Sequence, residues 1–408
     1  MKYFLSLIFC ALVITAKAQD LDHYLTIALK SSPLLKDLNN QIASGKIDSL
    51  RLRAGLKPQV TGSSNGTYSP TIGGFGFEPA ITNNQTLNAL VGVNQYIINK
   101  NYLAAQLAAL KLSRDSLGNS INISVNDLKK TITTQYITAY GSLQQYHFYQ
   151  EVVNLLTSEE DLLKKLTRNN IYRQSDYLTF LVTLKQQQLT LYQARLQYKN
   201  DYTTLNYLSG IADTSIVEIK APDLKPGFTP DRSTSIFYQQ FKNDSLRLLN
   251  SRKLIDYSYK PRINIFADGG FNSDFSFEPY KNFGTSIGFG ITLPIYDGGQ
   301  RKMLYKKLAL QEDTRLNYKT FFDVQYRQQI AQLNQQINDN AGLEQQIKDQ
   351  FKYSESLIKV DTQLLQTGDV RMADLIIAIN NYLAVKNLLT QTNISKLQLI
   401  NQLNYWNK

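Results

Sequence analysis

The stretch FGTSIGFGITL, residues 283–293, places Phe283, Ile287, Phe289, Ile291 and Leu293 at odd positions and Gly284, Ser286, Gly288, Gly290 and Thr292 at even ones. Successive side chains of a strand point to opposite faces, so this period of two describes a β-strand with one bulky apolar face and one small or polar face. A soluble sheet needs bulk on the face it buries. Glycines opposite an apolar face suit a strand with lipid on one side and water on the other, and about nine to eleven residues suffice for a tilted bilayer crossing. Three other segments read as strands. Ile263, Ile265 and Ala267 alternate with Asn264 and Asp268, and Leu87, Ala89, Val91 and Val93 alternate with Asn88, Gly92 and Asn94. Val60–Tyr68 is poor in apolar residues but rich in Thr, Ser, Gly and Asn.

These strands fall into two pairs at corresponding places of an internal repeat. Leu34–Val60 aligns with Phe237–Ile263 without a gap, and both windows end in Lys-Pro, at Lys57-Pro58 and Lys260-Pro261. Farther on, Arg173, Asp176 and Leu205-Asn206-Tyr207 align with Arg371, Asp374 and Leu403-Asn404-Tyr405. The loops Phe75-Gly76-Phe77-Glu78-Pro79 and Phe275-Ser276-Phe277-Glu278-Pro279 echo one another between the strands of each pair. Such a repeat means that one copy cannot close its own structure. The expected organisation is a first repeat over 19–210, with a β-hairpin at 58–98 and a long helical hairpin at 100–209. A linker follows at 211–230, and then a second repeat over 231–408, with a β-hairpin at 261–295 and a helical hairpin at 300–406.

The helical text is long. Asp20 can cap a leading helix that runs to Leu56, with a kink or break at Ser32-Pro33 because proline removes a donor and crowds the preceding turn. From Asn101 to Arg168 there is no proline, and only Gly118 and Gly141 interrupt, which at 1.5 Å per residue makes a rod of roughly 100 Å. A tip at Asn169–Ser175 turns the chain into a returning helix, Asp176–Ser209, stopped by Gly210. The second repeat offers Thr234–Tyr257, then Gln300–Gln366, a tip at Thr367-Gly368-Asp369, and Arg371–Trp406. In each repeat the return is about half the outgoing length, and the leading helix supplies the remainder. The linker, with Pro222, Pro226, Gly227 and Pro230, is expected to cross the surface.

Residues 1–18 read as a secretory signal: Lys2, an apolar run Tyr3–Ile14, and the small-x-small site Ala16-Lys17-Ala18. The single cysteine, Cys10, lies inside the apolar run behind Phe9, where a lipoprotein signal would have a small residue, so lipidation is not expected. The mature chain then has no disulfide and no thiol chemistry. The formal charge of +11, or +9 without Lys2 and Lys17, is scattered along Gln- and Asn-rich helices, which describes a solvated surface and not a nucleic-acid-binding block.

Four strands cannot close a membrane barrel, because bacterial barrels begin at eight. An unpaired strand edge in lipid costs several kcal/mol for each orphan backbone group. Several copies must therefore share one barrel, while long helices with Leu, Ile and Tyr at coiled-coil-like spacing pack side by side around solvent.

The chain here resembles the TolC-like outer-membrane efflux proteins, over essentially all of its mature length. The most specific mark is Thr292-Leu293-Pro294-Ile295-Tyr296-Asp297-Gly298-Gly299, which leaves the last strand and enters a long helix. The family has a Pro-apolar-aromatic-Asp-Gly-Gly stretch at that place, so Pro294, Asp297, Gly298 and Gly299 form the expected strand-to-helix turn. The first repeat departs from it with Gln95-Tyr96-Ile97-Ile98-Asn99-Lys100. The resemblance implies a mainly helical protein with membrane β-strands. Its homotrimer would form a twelve-stranded β-barrel on a twelve-helix α-barrel in the outer membrane, reaching into the periplasm. It implies passive export with a periplasmic adaptor and an inner-membrane transporter as partners, and no enzymatic activity. It also places a gate at the helical tips. Matching from Gly368, the family's first gate aspartate corresponds to Asp374, whereas the second falls on Ile377. Asp176 is the counterpart in the first repeat, with Thr179 and Val182 nearby instead of acids, so the acidic ring is thinner here. Arg173 and Arg371 precede these aspartates by three residues, which lets each pair meet on one helix face. The tips, roughly 166–173 and 364–371, are the expected adaptor contacts.

No catalytic, cofactor or metal site is read from the residues. His23 and His147 are too few and too far apart, and Gly73-Gly74-Phe75-Gly76 follows no buried strand and opens no helix, as a nucleotide loop would. Tyr68, Tyr96 and Tyr280, near strand ends, suit interfacial girdles. The rival readings are a periplasmic adaptor, which would have one hairpin between soluble β-domains, and a secreted coiled-coil structural protein, which would lack strand pairs at matching places.

Overall fold

A computed structural model describes residues 20–78, 85–213, 215–228, 234–273 and 279–408. The expected signal segment, Pro79, Pro230 and the Phe275–Glu278 part of the second loop lie outside these. The chain runs α1 (Leu21–Ser31), α2 (Pro33–Ala54), β1 (Gln59–Tyr68), β2 (Gln85–Ile97), α3 (Lys100–Arg168), α4 (Gln174–Ser209), α5 (Ile236–Ser258), β3 (Arg262–Ser273), β4 (Phe283–Thr292), α6 (Gln300–Thr367) and α7 (Met372–Trp406). It is mainly helical, with four antiparallel strands. Contacts gather it into two units: one holds residues up to Lys36, Asn122–Phe237 and Phe322–Lys408, and the other holds Asp37–Ile121 and Tyr238–Phe321.

The second unit contains the sheet, ordered β1-β2-β3-β4. Register settles which residues share a face, because directly paired residues lie on the same side. Val93 pairs with Val60 and Ala267, and Ala267 pairs with Ile287. One face therefore carries Val91, Val93, Ile97, Ile263, Ile265, Phe283, Ile287, Phe289 and Ile291, all exposed. The opposite face carries Thr61, Ser63, Asn65, Asn88, Asn94, Asn264, Asp268 and the glycines of β4. Those glycines have a local reason. A Cβ on Gly288 would come within 2.5 Å of the Phe266 ring, and one on Gly290 within 2.5 Å of Asn264 Oδ1. The larger β3 side chains lie across the β4 backbone, and only glycine leaves them room. Among the described residues, β1 and β4 each pair on one side only.

The first unit is helical. Ser32-Pro33 breaks the leading helix as expected, and the break falls where the second repeat starts its own helix: α2 begins at Pro33 and α5 at Ile236, offset by the same 203 residues as Lys57 and Lys260. Helix ends meet at both places. Ser31 Oγ donates to Ser209 O (3.2 Å), beside Gly210 in the left-handed conformation (φ 76°) that ends α4. In the second repeat Ile236 N donates to Lys408 O (3.1 Å) while Phe237 packs on Tyr405 and Trp406.

Two buried clusters hold this unit. Tyr24, Ala28, Ile132, Tyr136, Tyr198, Tyr202 and Leu205 form one. Phe148, Leu156, Leu163, Phe180, Leu184, Leu365, Met372 and Leu375 form the other, near the hairpin tips. The segment after α4 does more than cross a surface. Ile219 is buried in the first cluster, and the Tyr136 and Tyr198 hydroxyls donate to Lys220 O (2.8 Å) and Val217 O (2.7 Å). Phe180 is wholly buried, so Phe180→Ala should destabilise the helical unit by about 3–5 kcal/mol, as a cavity-forming truncation does. Denaturant unfolding followed by circular dichroism checks this.

Candidate functional site at the hairpin tips and the strand-to-helix turn

Both hairpin tips, in the helical unit, are built the same way. Helix α3 ends with Ile171 N donating to Leu166 O (3.0 Å) across Asn170, which has φ 61°. Helix α6 ends with Asp369 N donating to Leu364 O (3.1 Å) across Gly368, which has φ 80°. Asn and Gly are the residues that tolerate this left-handed cap. Gly368 has a second constraint, since a Cβ there would approach Ile171 Cγ2 to 3.0 Å. The tips are thus in contact. Tyr172, nearly buried, donates its hydroxyl to Val370 O (2.8 Å), with Leu365 O at 3.4 Å. Burial, reinforced by the Asp369 and Asp176 carboxylates, pushes its phenol pKa up and keeps it a donor.

The expected gate residues divide between two roles. Asp374 accepts a two-pronged contact from Arg371, with Nε at 2.9 Å from Oδ2 and Nη2 at 3.2 Å from Oδ1. Asp176 instead accepts from the backbone N–H of Arg173 (3.2 Å), as a carboxylate does in the first turn of a helix. Both arginines are N-caps, of α4 and α7. Ile377 and Val182 are exposed, so apolar side chains stand where further acids would thicken a ring.

A third carboxylate here is not apparent from motifs. Asp361 of α6 is only 8% exposed, and burial, together with the Asp374 charge, pushes its carboxyl pKa up. A carboxyl whose pKa is raised by folding contributes stability that is complete below its unfolded pKa and lost as pH rises through the folded value. Asp361→Asn should therefore stabilise the helical unit at about pH 7 and flatten the loss above about pH 4. Urea unfolding at both pH values, with the wild type alongside, reads this out.

The turn belongs to the other unit. Pro294 lies in the segment that leaves β4, and Asp297 closes the corner. Its Oδ1 accepts from Gly299 N (2.9 Å), and its Oδ2 accepts from Arg301 N (2.7 Å) and the Tyr259 hydroxyl (2.6 Å). The Tyr259 bond and these backbone donors hold its carboxyl below the usual carboxylate range. Gly298 and Gly299 take φ of 66° and 83°. Arg301 extends the corner by donating from Nη2 to Asp256 Oδ1 (3.2 Å), which also accepts from the Tyr305 hydroxyl. In the first repeat Asn99 replaces Asp297: its Oδ1 accepts from Asn101 N (2.8 Å), and its carbonyl from Tyr102 N (2.9 Å). A cap therefore survives there without the glycines. Tyr259, Asp256, Arg301 and Tyr305 were not legible as a set, although Arg301 and Tyr305 have the i, i+4 spacing of one helix face. A branched side chain cannot take the left-handed conformation freely, so Gly299→Val should cost about 1–2 kcal/mol in denaturant unfolding. His147 contacts Glu218 (3.4 Å), and no three His, Cys, Asp or Glu side chains gather as a metal site among the described residues. No described helix is long and apolar enough to cross a membrane.

The fold has solved counterparts. A membrane protein from Pseudomonas aeruginosa superposes with a TM-score of 0.77 over 95% of this chain and 89% of its own, at 13% identity. The outer-membrane channel OprN gives 0.75 over 95% and 89%, at 12% identity. The outer membrane protein VceC from Vibrio cholerae gives 0.74 over 95% and 96%, also at 12% identity. No protein-family model matches the sequence, and no curated relative matches it. The chain has the fold of an outer-membrane channel, and that fold is the TolC-like one which the sequence resembles.

Proposed function

We propose that this chain is one third of an outer-membrane exit duct, a passive conduit and not an enzyme. It would receive its cargo from a periplasmic adaptor and an inner-membrane transporter. The observation that carries this reading is the sheet. Its large apolar side chains are exposed mostly on one face, Ile287 to 82%, while the other face is mostly polar or glycine, with Phe266 lying over Gly288, and both edges are open among the described residues. Water does not favour such an apolar face, and lipid does not tolerate such edges. Because all neighbouring strands are antiparallel, β4 of one copy would meet β1 of the next antiparallel as well. Three copies would close twelve strands, an even number as a barrel requires. Twelve long helices in the periplasm would continue the conduit, and a cleaved, unlipidated signal would direct export. The likeness to outer-membrane channels supports the fold on which this reading depends. The arrangement offers no comparable support for an adaptor or a secreted coiled coil.

The gate belongs to the same proposal. Asp176, Asp374, Arg173, Arg371 and Gly368 stand at the tips, with the Arg371–Asp374 pair bound within one helix turn. Closure would rest on these pairs reaching neighbouring helices in the assembled ring. Fractionation should place the protein in the outer membrane, and mass determination of the detergent-extracted complex should give a trimer; a soluble monomer would defeat the duct. In planar bilayers Asp374→Ala should raise single-channel conductance, and an unchanged conductance would remove the gating role while leaving the duct intact.

A further inference from the structure

The charge of this chain is unevenly divided. The unit that carries the sheet, Asp37–Ile121 with Tyr238–Phe321, contains twenty Lys and Arg against twelve Asp and Glu, a net charge of +8. From Gln19 onward the helical unit contains twenty-two against twenty-one, a net charge of only +1.

Within the sheet-bearing unit the excess is carried by lysines. Four of its acids are already bound by arginines: Asp48 by Arg51 (3.6 Å), Asp244 by Arg247 (3.6 Å), Asp256 by Arg301 (3.2 Å) and Glu312 by Arg315 (2.5 Å). Asp297 is taken up by Tyr259 and by backbone amides. Lys46, Lys111, Lys302, Lys306, Lys307 and Lys319 are exposed and have no carboxylate partner among the described residues. Lys302 and Lys306 stand four residues apart on α6, where like charges destabilise a helix. Exposed as they are, they bury nothing that would offset this.

Neither the sheet nor the tips supply a counterweight. The polar face of the sheet carries Arg262 and Asp268, one charge of each sign. At the tips Asp374 is paired with Arg371 (2.9 Å), Asp176 accepts from the Arg173 N–H, and Ile377 and Val182 stand where further acids would.

We infer that the duct prefers anions and that its cargo is a small organic anion, a carboxylate, sulfonate or phosphate ester; this rests on the reading of the chain as an exit duct. A wall one helix thick measures about 10–12 Å. The Debye length is about 10 Å at 0.1 M salt, so lysines on either side of such a wall act on the water inside it. Low-dielectric walls focus that potential into the passage, where anions are enriched and cations depleted. Three copies would multiply the excess threefold around one pathway.

Reversal potentials of the detergent-extracted complex in planar bilayers test this, under a gradient of potassium chloride. At about 0.1 M salt the wild type should pass chloride over potassium about fivefold, which a mean potential of about one kT produces. The preference should shrink at about 1 M salt, where the Debye length is about 3 Å. The Lys302→Gln/Lys306→Gln/Lys307→Gln variant should lower the ratio about twofold, and arginine at the same three positions should preserve it. Replacing chloride by benzoate should leave most of the anion current, and loss of that current would overturn the cargo class. A wild type that passes both ions equally at low salt, or favours potassium, would overturn the anion preference, as would an unchanged ratio in the glutamine variant. Each of these results leaves the duct standing, whereas a complex that forms no channel would remove the duct and the preference together.

Discussion

An open sheet edge is the constraint on which the proposed duct turns. Each strand of β1–β4 satisfies its inward neighbours, and the backbone groups along the outer sides of β1 and β4 are left over. In water such groups would be hydrated, but in hydrocarbon nothing can do so, and the cost accumulates residue by residue. The same sheet exposes large apolar side chains on one face, so the chain cannot rest comfortably in water either. In the proposed duct, neighbouring copies would supply the missing strands and lipid would cover the apolar face. The division of the faces follows. In that duct bulk would be needed where lipid replaces water, and on the opposite face Gly288 and Gly290 leave space for Phe266 and Asn264.

The corner that joins sheet to helix shows how little backbone freedom such a design leaves. Two successive residues with positive φ reverse the chain within a few residues, and one carboxylate then satisfies the first free amides of the new helix. Asp297 also accepts the hydroxyl of Tyr259, which comes from the segment before β3, so the start of α6 is tied to the end of α5. In the first repeat, Asn99 does the capping with an amide oxygen and no glycine. The two corners solve the same problem with different amounts of charge.

Much of this was legible from local rules. Alternation of size marked β4 to within a residue, and Pro33 located the helix break. The left-handed caps at Asn170 and Gly368 lie at equivalent places in the repeat, as their residue types allow. What the sequence concealed depends on partners distant along the chain. Tyr172 corresponds to Val370 in the repeat, and nothing local shows that its hydroxyl reaches the carbonyl of that very residue. Asp361 looks like one more acid on a solvated helix until packing buries it beside Asp374. The segment after α4 looked like a surface crossing because its prolines and glycine report only the absence of helix, not what lies beneath them.

That segment carries a consequence for how the chain can change. Two buried phenols, Tyr136 and Tyr198, donate to its carbonyls, Asn206 donates to Asp213 O (2.9 Å), and Ile219 fills the apolar cluster between them. Excising or shifting it would strand each buried hydroxyl at a cost of about 1–3 kcal/mol. What joins the halves therefore behaves as a ratchet. The two corners differ in sequence, yet the halves stay joined through this segment, which is pinned at Ile219 and at the carbonyls that the two phenols reach.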